Sequence, residues 1–329
     1  MESLEDLIFS GSIKRALIIG IGGGGDVLST LPTMRYLELH KIEVLIGGIT
    51  WERITVDPKP GPRSLDEFTN IKRISETVAF ASHKTKTTDG IFPQPCRLSA
   101  FLGKEVLLID PSKGEKGLSR GLTIAINELK LDIIIGLDGG GDVLAKGDEK
   151  GLQSPLADSL MLASLANVSK IPTVIGVFGF GSDGELNQQQ ILTRLSEIAS
   201  KGGYLGARGL TPKDAMLMEK AVKYVTSEAS FLPVMAAKGK MGRTKIREGT
   251  REVYLSILST LTIYLDAKIL YDSSPIAKAV TGTNSIYEAK ERLNEMGLFT
   301  ELDFELIAKK LGTTSYTVIR DYIRTHKIR

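Results

Sequence analysis

The sequence predicts an α/β protein: a Rossmann-like, doubly wound, mostly parallel sheet with a small C-terminal helical appendage. Three observations predict it. A strand-loop unit occurs twice, as LIIGIGGGGDVLS at 17–29 and IIIGLDGGGDVLA at 133–145, identical at nine of thirteen positions and 116 residues apart. Each copy begins with a short β-branched run of the kind that is buried on both faces of a parallel sheet, and helical text follows it. The third observation is glycine: 34 residues of 329, where ordinary usage gives about 23. Strands alternating with helices argue for a parallel sheet whose ligands bind beyond the carboxyl ends of the strands.

The elements follow in order. After the first glycine loop, Thr30 reads as an N-cap and Pro32 sits in the first turn of a helix over 31–39, leaving 26–29 as loop. Residues 42–49 form the next apolar run. The segment ITWERITVDPKPGPRSL, 49–65, is held extended by Pro58, Pro60 and Pro62, with Arg53, Asp57 and Arg63 projecting from it. It reads as a lid, a dimer contact or a rigid surface loop. Residues 78–81 and 106–109 are further strands, and the β-branched run from Ile133 to the first glycine of the second copy is another. Ser154 and Pro155 open the helix LADSLMLASLANV with favoured cap and N1 residues. A looser third copy, TVIGVFGFGSDGEL at 173–186, ends with Ser182 and Glu185 at capping-box spacing before a helix. Thr211-Pro212 starts a helix through Ala221; 230–237 reads as helix with a kink at Pro233, and 253–258 and 261–265 as strands. Amphipathic helices then begin at Ser285, Glu301 and Tyr316. The α/β domain is placed at 1–282 and the appendage at 283–329.

The three loops hold thirteen glycines, more than the whole surplus. Composition narrows the remaining classes. Hydrophobic residues make up 42% of the chain, which excludes a linker or disordered tract. Glu2, Glu5 and Asp6 stand where a secretory signal is basic, and no apolar run approaches the roughly 18 residues of a membrane span. These features lead us to expect a cytoplasmic protein without membrane contact. One cysteine, Cys96, allows no internal disulfide, and His40, His83 and His326 are scattered, so any metal would be held by oxygen. Net charge is +3, but residues 1–200 hold 21 Lys/Arg against 25 Asp/Glu, and 201–329 hold 21 against 14. The basic surplus is densest from Lys238 to Arg251.

The candidate site is the set of glycine loops. Gly22, Gly23, Gly24 and Gly25 in one copy, and Gly139, Gly140 and Gly141 in the other, allow close approach of backbone N–H groups to an anion, most naturally phosphate. Gly20, Gly22 and Gly25 satisfy the spacing of the dinucleotide fingerprint. The late helix start and the absence of an acidic residue at the end of the following strand count against NAD(P). Asp26, Asp138 and Asp142 converge at the same sheet edge and suit Mg²⁺ bridging to a phosphorylated ligand. Asp138, buried at a strand end, requires a cation or an arginine as partner, whereas Asp183 reads as a local cap. Asp138 and Asp142, with Arg247 and Arg251, are the candidate catalytic groups; Arg53 and Arg63 are candidate ligand contacts. Cys96 reads as structural.

The stretches GIGGGGDVLSTLPTMRYLE, TWERITVDPKPGPRSLDE, GLDGGGD and TKIREGTREVYLS together resemble a mainly archaeal family classed as a domain of unknown function. The resemblance covers about residues 14–300; it implies a Rossmann-like fold and no activity. In the tail, Ile307-Ala308-x-x-Leu311-Gly312 followed by Thr317-Val318-x-Arg320 resembles a helix-turn-helix unit.

The leading functional expectation is a protein that binds a phosphorylated or nucleotide-like small molecule at the Gly/Asp loops, with Mg²⁺-assisted transfer or hydrolysis as the reaction class. The alternatives are a ligand-responsive DNA-binding regulator, an NAD(P)-type dinucleotide binder, and a scaffold in which the aspartates only cap. The tail from Glu301 holds six Lys/Arg against four Asp/Glu, modest for DNA, so packing or dimerisation ranks above it. The expected partners are an anionic small molecule and a second copy of the chain.

Overall fold

The computed structural model describes residues 3–168 and 170–327. A short helix α1 (Leu4–Phe9) precedes β1 (Arg15–Gly20), α2 (Thr30–Leu39) and β2 (Glu43–Ile49). Then come β3 (Lys72–Arg73), β4 (Val78–Ala81), α3 (Gln94–Leu102), β5 (Val106–Ile109), α4 (Gly114–Leu129), β6 (Ile133–Gly139), α5 (Pro155–Ala166), β7 (Thr173–Phe178) and α6 (Gln188–Ser200). The rest comprises β8 (Tyr204–Gly209), α7 (Pro212–Ala221), α8 (Glu228–Ala237), β9 (Gly242–Ile246), β10 (Arg251–Leu255), β11 (Leu261–Asp266), α9 (Ala267–Asp272), α10 (Pro275–Val280), α11 (Ile286–Glu295), α12 (Glu301–Leu311) and α13 (Tyr316–Thr325).

Nine strands form one sheet in the order β8-β11-β7-β6-β1-β2-β5-β4-β3. Its centre, from β7 to β5, is parallel; at the edges β11 pairs antiparallel with both β7 and β8, and β4 antiparallel with both β5 and β3. The two copies of the repeat are adjacent strands, with Ile18 opposite Ile135, one residue out of step with the sequence repeat, in which Ile18 aligns with Ile134. Their glycine loops therefore leave the sheet side by side.

Alternation along β1 divides the core. Leu17 and Ile19 join Leu118, Leu122, Leu160, Ile191 and Leu270 on the face covered by α4, α5, α6 and α9, while Ile18 joins Leu31, Met34, Leu98 and Met218 beneath α2, α3 and α7. With helices on both faces, the central strands have no polar side to show, which is why their sequence runs are continuously apolar. Ile286, Ala289, Leu293 and Leu302 of α11 and α12 belong to the first of these cores. Helices α12 and α13 also pack on Ile54, in the connection after β2, through Ala308 and Ile319.

Several local expectations are corrected. The cap position of α2 is Ser29, without a capping bond, because Thr30 Oγ1 donates to the Val27 carbonyl at 2.6 Å and residues Gly24–Ser29 form a 3₁₀ turn rather than open loop. Helix α6 is capped by the reciprocal pair Asn187 and Gln190, not by Ser182 and Glu185, since Glu185 is turned inward to an arginine. The basic segment is a β9–β10 hairpin, and 257–260 is a 3₁₀ turn instead of the end of a strand. The proline-rich connection is not a surface loop: Pro60, Gly61, Pro62 and Arg63 are buried, and Gly61 N donates to Glu305 at 2.8 Å. No helix among the described residues is long and apolar enough to cross a membrane.

Candidate functional site: a buried carboxylate centre

The site is built by three elements. Asp138 is the penultimate residue of strand β6, the following 3₁₀ turn begins with Asp142, and the first turn of α5 carries Asp158. One oxygen from each of these three carboxylates lies within 4.8 Å of the others. Their residues are 1%, 6% and 1% exposed, which removes the solvent that would otherwise screen three like charges. Protein donors compensate little of this. Asp138 accepts one hydrogen bond, from Val143 N at 3.2 Å, and Asp142 accepts one from Ser154 Oγ at 3.3 Å. Asp138 Oδ1 and both oxygens of Asp158 are buried without a hydrogen-bond partner among the described residues.

The electrostatic consequence is uniform. Burial first, and the negative charge of the neighbouring carboxylates second, hold Asp138, Asp142 and Asp158 well above the ordinary carboxylate range. Asp138 requires an arginine or a cation as partner, and no arginine among the described residues makes a hydrogen bond or ion pair with it.

Asp26 stands beside this group rather than in it. Its carboxylate accepts from Gly22 N at 3.0 Å and from Gly139 N at 3.3 Å, so it pins the two repeat loops to each other; burial raises it to about 6. The glycines explain how carboxylates come so close. A Cβ on Gly22 would lie 2.7 Å from Asp26 Oδ2 and 2.8 Å from Asp158 Oδ2, and one on Gly140 would lie 1.9 Å from Asp183 Oδ2. Gly24 likewise leaves room for Glu52, which also accepts from Gln94 N at the start of α3 at 2.7 Å. The loop amides are largely in use: Gly22 and Gly139 serve Asp26, Gly24 N donates to the Trp51 carbonyl and Gly140 N to that of Phe178. What the glycine loops approach in this structure is the protein's own carboxylates. Gly23, Gly25 and Gly141 complete the two loops; a Cβ on Gly23 would meet nothing nearer than the Trp51 carbonyl at 3.9 Å, and one on Gly25 would press on Thr226 and Ser227.

Beside the carboxylates lies a cationic group. Arg251 Nη1 pairs with Glu185 at 2.8 Å and also donates to the Asp183 carbonyl at 2.9 Å, while Nη2 donates to Gln153 Oε1 at 2.8 Å. Arg320, from α13, donates to the same Gln153 oxygen. Glu185 accepts from Gln153 N and Ser154 N as well, which with Arg251 keeps it below its ordinary value despite burial. Asp183 caps the local turn through Glu185 N at 2.7 Å, yet its other oxygen is buried and unpartnered, and burial raises it to about 7. Arg53 is partly buried and its side chain makes no hydrogen bond or ion pair with another described residue; its charge bears on Asp26, Glu52 and Glu228. Arg247, at the turn of the β9–β10 hairpin, faces Glu228 at 3.4 Å and the Tyr316 hydroxyl at 3.2 Å. Arg63 is held elsewhere, by Asp57, Glu67 and Asp89. Cys96 is buried, and burial pushes its thiol far up, consistent with a structural role.

The C-terminal helices close over these parts. Glu301 accepts from Leu156 N and Ala157 N at 3.0 and 2.7 Å, satisfying the first turn of α5 where Ser154 itself makes no capping bond. Glu248, in the hairpin turn, accepts from Ser315 Oγ and Thr317 N and so caps α13. Sequence reading missed Asp158, Glu301, Glu305 and Arg320. For Asp158 a signal existed: it is the one charged residue in SPLADSLMLASLANV, 154–168, and a lone charge inside an apolar buried helix needs a partner or a function.

Fold and site together define a Rossmann-like α/β protein with a buried carboxylate centre at the carboxyl edge of its parallel sheet. The chain belongs to the family described as protein of unknown function (DUF1152), whose family model matches residues 17–309. No curated protein matches the chain.

Proposed function

We propose that the protein binds a divalent cation at Asp138, Asp142 and Asp158 and uses it to engage a phosphorylated small molecule. The observation that carries this reading is Asp158, whose two oxygens are both buried and unpartnered within reach of two further carboxylates. A buried cluster of unpaired carboxylates is expensive, and a cation offsets that cost by supplying positive charge and coordination at once. All-oxygen donors favour Mg²⁺, Mn²⁺ or Ca²⁺ over softer metals. The reading replaces Asp26 by Asp158 as third ligand, because the Asp26 carboxylate is already committed to two loop amides. A phosphorylated ligand fits the adjoining arginines, and a carboxylate raised toward neutrality suits proton transfer in hydrolysis or transfer.

The test is a titration of the metal-free protein with Mn²⁺, followed by electron paramagnetic resonance of the free ion. One site per chain is expected in the wild type and none in Asp158→Asn; equal binding by both proteins would remove this centre as the cation site.

A further inference from the structure

We propose that Arg53, Arg251 and Arg320 form one phosphoryl-binding face beside the carboxylate centre, so that the C-terminal helix α13 supplies a wall of the ligand site. This names the residues that hold the anion in the function proposed above and rests on that reading for the ligand's other end.

Three observations carry it. The first is a surplus of donors. Arg251 Nε and Arg320 Nε are both buried without an acceptor among the described residues, and the two guanidinium groups share a single amide oxygen, Gln153 Oε1. Buried arginine donors are ordinarily satisfied, and two cations converging on one neutral oxygen leave unused exactly the donors that a tetrahedral oxyanion accepts.

The second is charge balance. Arg251 has Glu185, but neither Arg320 nor Arg53 has a carboxylate within ion-pair distance among the described residues. Arg320 thus stands uncompensated beside Arg251 over Gln153, and the repulsion is felt, since burial and then Arg251 lower the basicity of Arg320. The third is convergence from distant parts of the chain. Arg53 follows β2, Arg251 opens β10 and Arg320 lies in α13, yet the charges of Arg53 and Arg251 both bear on Tyr316 and Glu228, and Arg320 bears on the same ring neighbourhood through Tyr316. Arg247, whose Nη1 lies 3.2 Å from the Tyr316 hydroxyl, is a fourth, and structural packing alone gives no reason to gather four cations around one tyrosine.

Four of the seven loop glycine amides are already committed: those of Gly22, Gly24, Gly139 and Gly140 serve protein acceptors. The arginines are the groups with donors to spare, and their planar forks match phosphoryl oxygens in pairs.

The experiment uses full-length protein and inorganic pyrophosphate, titrated calorimetrically with Mn²⁺ present and again in EDTA, with sulfate at equal ionic strength as a comparison. Pyrophosphate is expected to bind the wild type more tightly than sulfate does. Arg53→Gln and Arg320→Gln are each expected to weaken it by about tenfold or more, the scale of one lost charge-assisted contact, while Mn²⁺ affinity stays within about twofold. Arg53→Gln guards against a folding artefact, because that side chain has no hydrogen bond or ion pair with a described residue to lose.

The proposal is overturned if the wild type binds no pyrophosphate under either condition, if sulfate binds equally well, or if either variant binds as the wild type does. If the wild type fails to bind Mn²⁺ but pyrophosphate binding in EDTA still falls in both variants, the cation centre is lost and the arginine face stands.

Discussion

Trp51 Nε1 lies 3.1 and 3.0 Å from the two carboxylate oxygens of Glu305, joining the loop after β2 to α12 across 254 residues of sequence. Glu305 Oε2 also accepts from Gly61 N at 2.8 Å, so one buried side chain fixes the tail helices onto the proline-rich connection. Trp51 is the only tryptophan in the chain and reports directly on this joint. Glu305→Ala leaves two buried donors without an acceptor and is expected to cost about 2–4 kcal/mol. Glu305→Gln, which keeps an acceptor, should cost much less. Urea unfolding followed by tryptophan fluorescence separates the two, and equal midpoints would show that the joint contributes nothing.

Cation binding should appear as stability. A ligand at one hundred times its Kd adds about 2.7 kcal/mol, which for a chain of this size is about 5 °C in Tm. Saturating Mg²⁺ or Mn²⁺ is expected to raise the wild-type midpoint by that amount and to leave Asp158→Asn unmoved. A differential scanning fluorimetry series over metal concentration makes the comparison.

Acidity should stabilise the metal-free protein. Burial raises Glu52 and Glu305 to about 8 and Glu301 to about 7. A carboxylate whose pKa is higher folded than unfolded binds its proton more tightly in the native state. Its contribution is therefore fully present below the unfolded value and is lost as pH rises toward the folded one. Stability should fall between about pH 4.5 and 8, and Glu305→Gln should flatten that fall by removing one of the groups responsible. Chemical denaturation at several pH values decides it; a stability that climbs through this window would contradict the burial argument.

The two glycine loops should differ in tolerance along their length. Gly140 has φ +141° and no room for a Cβ against Asp183, so Gly140→Ala is expected to cost about 2–5 kcal/mol from backbone strain and overpacking together. Gly23 is in extended backbone at φ 161°, and its Cβ would meet only a carbonyl at 3.9 Å. Gly23→Ala should stay within about 1 kcal/mol of the wild type. Thermal midpoints of the two variants provide the check.

Much of the sheet was legible because its signals are local. The β-branched run that opens the second copy at Ile133 must be a strand in any context that buries both its faces, and Pro212 after Thr211 opens a helix wherever the chain goes next; the structure places them as β6 and the start of α7. The second half of the site was not legible for the same reason. Glu185 has capping-box spacing from Ser182, and only the position of Arg251, 66 residues later, turns it inward. Arg63 projects from a proline-rich segment as a ligand arginine would, but Asp57, Glu67 and Asp89 lie close enough to hold it.

The sequence by itself determined the doubly wound fold, the presence of two glycine-aspartate loops at one sheet edge and the oxygen-only character of any metal site, because periodicity, glycine spacing and residue chemistry act over a few residues. Tertiary structure alone decided that Asp158 joins Asp138 and Asp142 and that Arg320 meets Arg251 over Gln153. Those meetings depend on how α5 and α13 pack against the sheet edge, and packing brings together side chains that no local pattern relates.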